Sequence, residues 1–90
     1  MAVTLHLPTA LAKLAGGPTV TATGTTVGEV VGAVAARFPE MASRLHDASG
    51  APFAFVMFYL NDEDIRFCGG FDAPVTVGDE LTVVPAIAGG

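Results

Sequence analysis

The sequence predicts an α+β fold, a mixed sheet of about four to five strands with one main helix packed on one face. Three observations predict it. Val3, Leu5 and Leu7 alternate with Thr4 and His6, and Thr19 to Thr23 alternates again, the period of half-buried strands. Val27, Val30, Val31, Val34 and Phe38 recur at helical spacing and make one apolar stripe. Leu81-Thr82-Val83-Val84 is short, apolar and β-branched, as a buried strand is.

Each element follows from local chemistry. Pro8 ends the first strand, the apolar segment Thr9 to Ala15 is short, and Gly16-Gly17-Pro18 closes it as a turn. The second strand, Val20 and Ala22 against Thr19, Thr21 and Thr23, pairs with the first as a hairpin. Thr26 with Glu29 fits a capping box, in which each side chain satisfies a backbone donor at the helix start. Valine is a modest helix former, so this helix depends on tertiary packing. Gly28 and Gly32 weaken it and are expected to let it sit close to the sheet, and Pro39 stops it. Glu40 to His46 is expected to add a short helical turn, followed by a loop at Asp47-Ala48-Ser49-Gly50. Phe55 to Leu60 is the strongest strand signal, Asn61-Asp62-Glu63-Asp64 a turn, and Ile65-Arg66-Phe67 a short return strand. Gly78-Asp79 is a second turn signal, and the final strand follows. The first and last strands are expected to lie side by side and parallel in the middle of the sheet.

Pro85 offers no N–H to a ladder, so regular pairing should end there. The remainder, Ala86-Ile87-Ala88-Gly89-Gly90, is small and uncharged, and glycine adds no side chain while losing the most entropy on ordering. The organisation predicted is therefore a domain over residues 1–85 and a flexible tail over 86–90 that projects into solvent with the Gly90 carboxylate at its tip. Such a tail fits a narrow enzyme channel in which any Cβ would clash, which places the chain's chemistry at its own C-terminus. A frayed end is the alternative that Gly-Gly by itself leaves open.

Ninety residues make one small domain, and a hydrophobic fraction of 51% with 14% charged residues makes it globular. The net charge of -5 argues against nucleic acid and against anionic membrane surfaces. Six acids, Asp62, Glu63, Asp64, Asp72, Asp79 and Glu80, fall after Leu60 with only Arg66 to offset them. They read either as a solvated face or as one that steers toward a basic partner. Cys68 is the single cysteine, so no intrachain disulfide forms. That suits a reducing, cytoplasmic compartment, and the first residues show no basic secretory signal.

The chain resembles a β-grasp, ubiquitin-like protein of the bacterial sulfur-carrier group, the ThiS, MoaD and CysO families. The order of elements agrees over essentially the whole chain. Tyr59-Leu60-Asn61-Asp62-Glu63-Asp64-Ile65-Arg66-Phe67, within Val56 to Gly70, resembles the third and fourth strands and acidic turn of the CysO group. The ending from Gly78 to Gly90 resembles that group's closure, a Gly-Asp turn, a final strand and Pro-Ala-x-Ala-Gly-Gly.

The resemblance implies a carrier rather than an enzyme, with no cofactor of its own. Gly90 would be adenylated by a MoeB/ThiF-like activating enzyme that uses ATP, then converted by a sulfur donor to a thiocarboxylate. Gly89, Ala88 and Ile87 would be the tail residues that partners recognise. The acceptor implied is a cysteine-synthase-type enzyme. A molybdopterin synthase large subunit, a thiosugar synthase, or lysines of modified proteins are the alternatives. Alone, the chain would be a monomer.

The remaining candidates read more plainly. Cys68 lacks a neighbouring His or Lys in sequence and reads as an incidental thiol rather than a sulfur relay. His6 and His46 have no metal-ligand spacing. Internal Gly69-Gly70 reads as a turn. If Val56, Phe58 and Leu60 face the helix, then Phe55, Met57 and Tyr59 face outward, and Val84 and His6 share that face. This patch, rimmed by the late acids, is the candidate docking surface for the partner enzymes.

Overall fold

Alternation makes Val3–His6 the first strand, β1, with Val3 and Leu5 buried and Thr4 and His6 half-buried on the other side. The structure, a computed structural model, describes residues 2–45 and 56–85.

The segment after Pro8, expected only as a short apolar stretch, is a helix, α1 (Thr9–Ala15). Its ends explain it. Pro8 carries extended dihedrals and its carbonyl accepts the first helical N–H groups. Gly16 takes the left-handed conformation, φ 80°, and donates to the Ala12 carbonyl, as does Gly17. Leu11 is buried beneath the turn. The hairpin expected between the first two strands is thus an antiparallel pair with a helix in its connection. β2 (Thr19–Ala22) pairs with β1 in the register Leu5↔Val20.

The main helix, α2 (Val27–Arg37), buries Val27, Val30, Val31, Val34 and Ala35. At its start the Thr26 hydroxyl accepts from the Glu29 N–H at 3.2 Å. The return bond goes one residue further than a capping box would send it, for the Glu29 carboxylate accepts from Thr25 N–H at 2.9 Å. Pro39 ends α2 and occupies the first position of α3 (Pro39–Leu45), which buries Met41 and Leu45. The expectation for the two helix glycines is corrected. A Cβ on Gly28 would lie 3.1 Å from Phe71, in a turn of 3-10 helix and not in the sheet, while a Cβ on Gly32 meets nothing within 4 Å.

β3 (Val56–Leu60) buries Phe58 at 2% exposure, with Val56 and Leu60 packed against the core edge. Asn61 (φ 50°) and Asp62 (φ 72°) form a two-residue turn with both residues left-handed, the geometry that fits the twist of a hairpin. The return strand, β4, is Glu63–Asp64, and Ile65–Phe67 is a 3-10 helix rather than the strand expected. The reason is local: the Asp64 carboxylate accepts from the Arg66 N–H at 2.9 Å, and that cap bends the chain out of the sheet.

The last strand, β5 (Glu80–Pro85), lies between β1 and β3, parallel to the first and antiparallel to the second. The sheet order is β2-β1-β5-β3-β4, so the first and last strands are adjacent and parallel at its centre as the sequence predicts. β5 runs to Pro85, registered with Val56, so the strand reaches the proline before it ends. The valines of α2, Met41 and Leu45 pack with Val3, Leu5, Phe58, Leu81 and Val83 in one cluster, and Phe58 meets Phe71 edge to face at 5.3 Å.

Candidate functional site

One face of the sheet holds the core, and pairing register decides what the other face displays. Registered neighbours point the same way. Thr4 is opposite Glu80, His6 opposite Thr82, Met57 opposite Val84 and Tyr59 opposite both Thr82 and Asp64. All of these therefore stand on the face away from the helices, with Thr19 and Thr21 of β2 beyond them. Of the proposed docking residues, Met57, Tyr59, Val84 and His6 share this face, and Phe55 lies outside the described residues. Val84 is 36% exposed, and Met57, Tyr59 and His6 are half-buried.

The face is graded from apolar to acidic along β5. Val84 and Met57 stand near its C-terminal end, Tyr59, Thr82 and His6 in the middle with Asp64 level with them on β4, and Glu80 at its start. The late acids were expected to rim the patch; register puts Glu80 at the end where β5 starts and Asp64 at the side of the middle row, on β4. His6 Nε2 lies 2.6 Å from Glu80 Oε1, a pair that ties β1 to β5 across the surface. The two residues are far apart in sequence, so only the parallel register brings them together. Tyr59 sends its hydroxyl toward the Met57 sulfur at 3.9 Å, leaving a soft, polarisable edge.

Several of the late acids have local work. Asp79 accepts from Thr76 N–H at 2.8 Å and from Asn61 Nδ2 at 3.1 Å, and these bonds hold its carboxyl below the usual range. Asn61 in turn accepts from Glu80 N–H at 3.0 Å, latching the β3–β4 turn to the start of β5. Asp64 grips Arg66 through both carboxylate oxygens, which lowers the acid and raises the guanidinium. Asp62 and Glu63 are exposed.

Cys68 donates to the Asp64 carbonyl at 3.6 Å, and burial, with Glu63 close by, pushes its thiol up from the usual value. A raised thiol is a poor nucleophile, which disfavours a relay role. Among the described residues no cluster of His, Cys, Asp and Glu could hold a metal, and no helix is long and apolar enough to cross a membrane. Ile87, Ala88, Gly89 and Gly90 lie outside the described residues; the chain is described up to Pro85, at the end of the central strand.

Comparison with known proteins gives this geometry a context. Residues 5–90 match the ThiS family. Sulfur carrier protein CysO of Mycobacterium tuberculosis is 42% identical over 93 residues, with 100% of both chains covered. In the crystal structure of the Amycolatopsis orientalis BexX/CysO complex, a chain 43% identical superposes with a TM-score of 0.88 over 99% of this chain and 100% of that one. The crystal structure of Mycobacterium tuberculosis CysO, 40% identical, gives a TM-score of 0.85 over 94% of this chain and 99% of that one.

Proposed function

This chain belongs to the ThiS family and is a β-grasp, ubiquitin-like protein of the sulfur-carrier kind, and we propose that it works through the carboxylate of Gly90. A carboxylate is a poor electrophile. In the proposed cycle a Gly90 oxygen attacks the α-phosphorus of ATP on a MoeB/ThiF-like activating enzyme and pyrophosphate leaves. A sulfur donor then attacks the acyl carbon, AMP leaves, and a thiocarboxylate remains. That anion is soft and nucleophilic and attacks an activated carbon on the acceptor enzyme. The carrier brings no general base and no oxyanion hole, so it is a protein substrate in each step.

The observation that carries this reading is the family match running to residue 90, so that it includes Gly89-Gly90. The fold supports it. Both neighbours of β5 hold it in the middle of the sheet, so the segment after Pro85 leaves from a fixed point. We assign docking of both the activating and the accepting enzymes to the outer face of the sheet around Met57, Tyr59, Val84 and His6, extended by Phe55. Its grading gives the docking a direction: partner apolar groups meet Met57 and Val84, and partner cations meet Glu80. The acceptor we favour is a cysteine-synthase-type enzyme acting on an activated serine derivative, the reading supported by the CysO likeness between Tyr59 and Phe67.

Intact mass after incubation with ATP, the activating enzyme and a sulfur source tests the cycle. Replacement of one oxygen by sulfur, lost on deletion of Gly90, is the expected result. An unchanged mass in the presence of active partner enzyme overturns it.

A further inference from the structure

Sulfur atoms sit in three different settings among the described residues. Met41 in α3 is 0% exposed and lies inside the core cluster. Cys68 donates to the Asp64 carbonyl at 3.6 Å and burial holds its thiol protonated, whereas the thiolate is the form that oxidants attack. Met57 stands on the outer face of the sheet, half-buried beside Val84. A thioether reacts through a sulfur lone pair and has no proton to lose, so access governs its oxidation. Access is what separates Met57 from Met41.

The surroundings of Met57 also fix what its oxidation does. With Val84 it makes the apolar end of the docking face. A sulfoxide replaces a soft apolar side chain with a polar one whose oxygen is a strong acceptor. Tyr59 already sends its hydroxyl toward the Met57 sulfur, at 3.9 Å, and so stands where it can donate to that oxygen. In the free carrier the sulfoxide is therefore satisfied by Tyr59 and by water, and the core on the opposite face, with Phe58 at 2% exposure, is untouched. Against an apolar partner surface the same oxygen gives up its water, and burying an acceptor without a donor is costly. Oxidation thus acts on the docked state and spares the fold.

We propose that Met57 is a redox switch on the docking face: hydrogen peroxide converts it to the sulfoxide, which releases the carrier from the activating enzyme until the sulfoxide is reduced. The proposal rests on the assignment of docking to the outer face made above. A lone pair of Met57 Sδ attacks one oxygen of the peroxide, the S–O bond forms, the O–O bond breaks and the second oxygen leaves as water. Sulfur loses two electrons and the peroxide gains them. In the reverse step two thiols become a disulfide, the sulfoxide oxygen leaves as water and the thioether returns. The switch reports oxidant through the same surface that selects the partner, and it needs no change of fold.

The full chain is treated with hydrogen peroxide, freed of it by gel filtration and examined by peptide mapping, which resolves each methionine. Met57 should gain one oxygen at least about tenfold faster than Met41. Carrier oxidised at Met57 should show kcat/KM for thiocarboxylate formation lowered about ten- to hundredfold, with its denaturant midpoint unchanged. Methionine sulfoxide reductase with a thiol should restore the rate. Whatever the rate of Met57→Leu, peroxide treatment should leave it as it was. Three results would overturn the proposal: an unchanged rate with Met57 fully oxidised, a loss that persists in Met57→Leu, or a loss that comes with a lowered denaturant midpoint. Untreated Met57→Lys separates this from the underlying assignment. If that variant is slowed while the sulfoxide is not, only the switch fails; if it keeps the parent rate, the docking assignment fails and the switch with it.

Discussion

Met57 and Phe58 are neighbours in β3 that face opposite sides of the sheet, so substituting each should separate docking from folding. Phe58 is 2% exposed and meets Phe71 at 5.3 Å. Truncating it to alanine should cost about 3–5 kcal/mol, a large part of what a domain this small holds. Met57 is half-buried on the outer face beside Val84, where a lysine can hold its charge in water. Met57→Lys should therefore change stability by only about 0.5–1 kcal/mol. Burial of a methionine side chain against a partner is worth about 1.5–3 kcal/mol, so the same substitution should lower kcat/KM for thiocarboxylate formation about ten- to hundredfold. Denaturant midpoints give the first quantity, and initial rates at subsaturating carrier give the second. An unchanged rate for a folded Met57→Lys would refute the docking assignment for the activating enzyme. A Phe58→Ala domain as stable as the parent would refute the packing argument.

Three further outcomes can be checked by equilibrium unfolding. Gly32→Ala should stabilise by about 0.5–1 kcal/mol, because its Cβ meets nothing and alanine is the better helix former, whereas Gly28→Ala should destabilise through its 3.1 Å approach to Phe71; equal effects would contradict the two environments. Asp79, Asp64 and Glu29 all have carboxyls held low by hydrogen bonds, from Thr76, Arg66 and Thr25 respectively. Their contribution is fully present above the ordinary carboxylate range of about 4 and is lost as pH falls through the lowered folded values, so stability should decline below about pH 4–5. Asp79→Asn should flatten that decline, and an identical slope would remove Asp79 from the account. Asn61→Ala should destabilise by about 1 kcal/mol, since it unlatches the β3–β4 turn from Glu80, and should also raise the Asp79 carboxyl; NMR titration reads the second effect.

Local signals were enough wherever an element carries its own pattern. The valine stripe and the Thr26 cap announced α2, alternation announced β1 and β2, and the turn residues Asn61 and Asp62 marked the hairpin. They failed where a neighbour decided. Ile65–Phe67 alternates like a strand, yet one Asp64 bond to the Arg66 backbone curls it into a 3-10 turn. α1 is too short to show a period, and its glycine stop and buried Leu11 make it a helix. Gly28 and Gly32 look alike in sequence and differ only in what lies across from them.

The same division holds for the site. The order of amino acids alone determined the small uncharged ending, the family likeness and the side of β3 on which Met57 and Tyr59 stand, because all three depend on composition or on a period of two along one strand. Tertiary structure alone decided the His6–Glu80 pair and the placing of Glu80 at the start of β5 and of Asp64 beside Tyr59 on the outer face. Those facts follow from which strands are neighbours and in what register, and register is set by long-range packing of both sheet faces, which no short window of sequence contains.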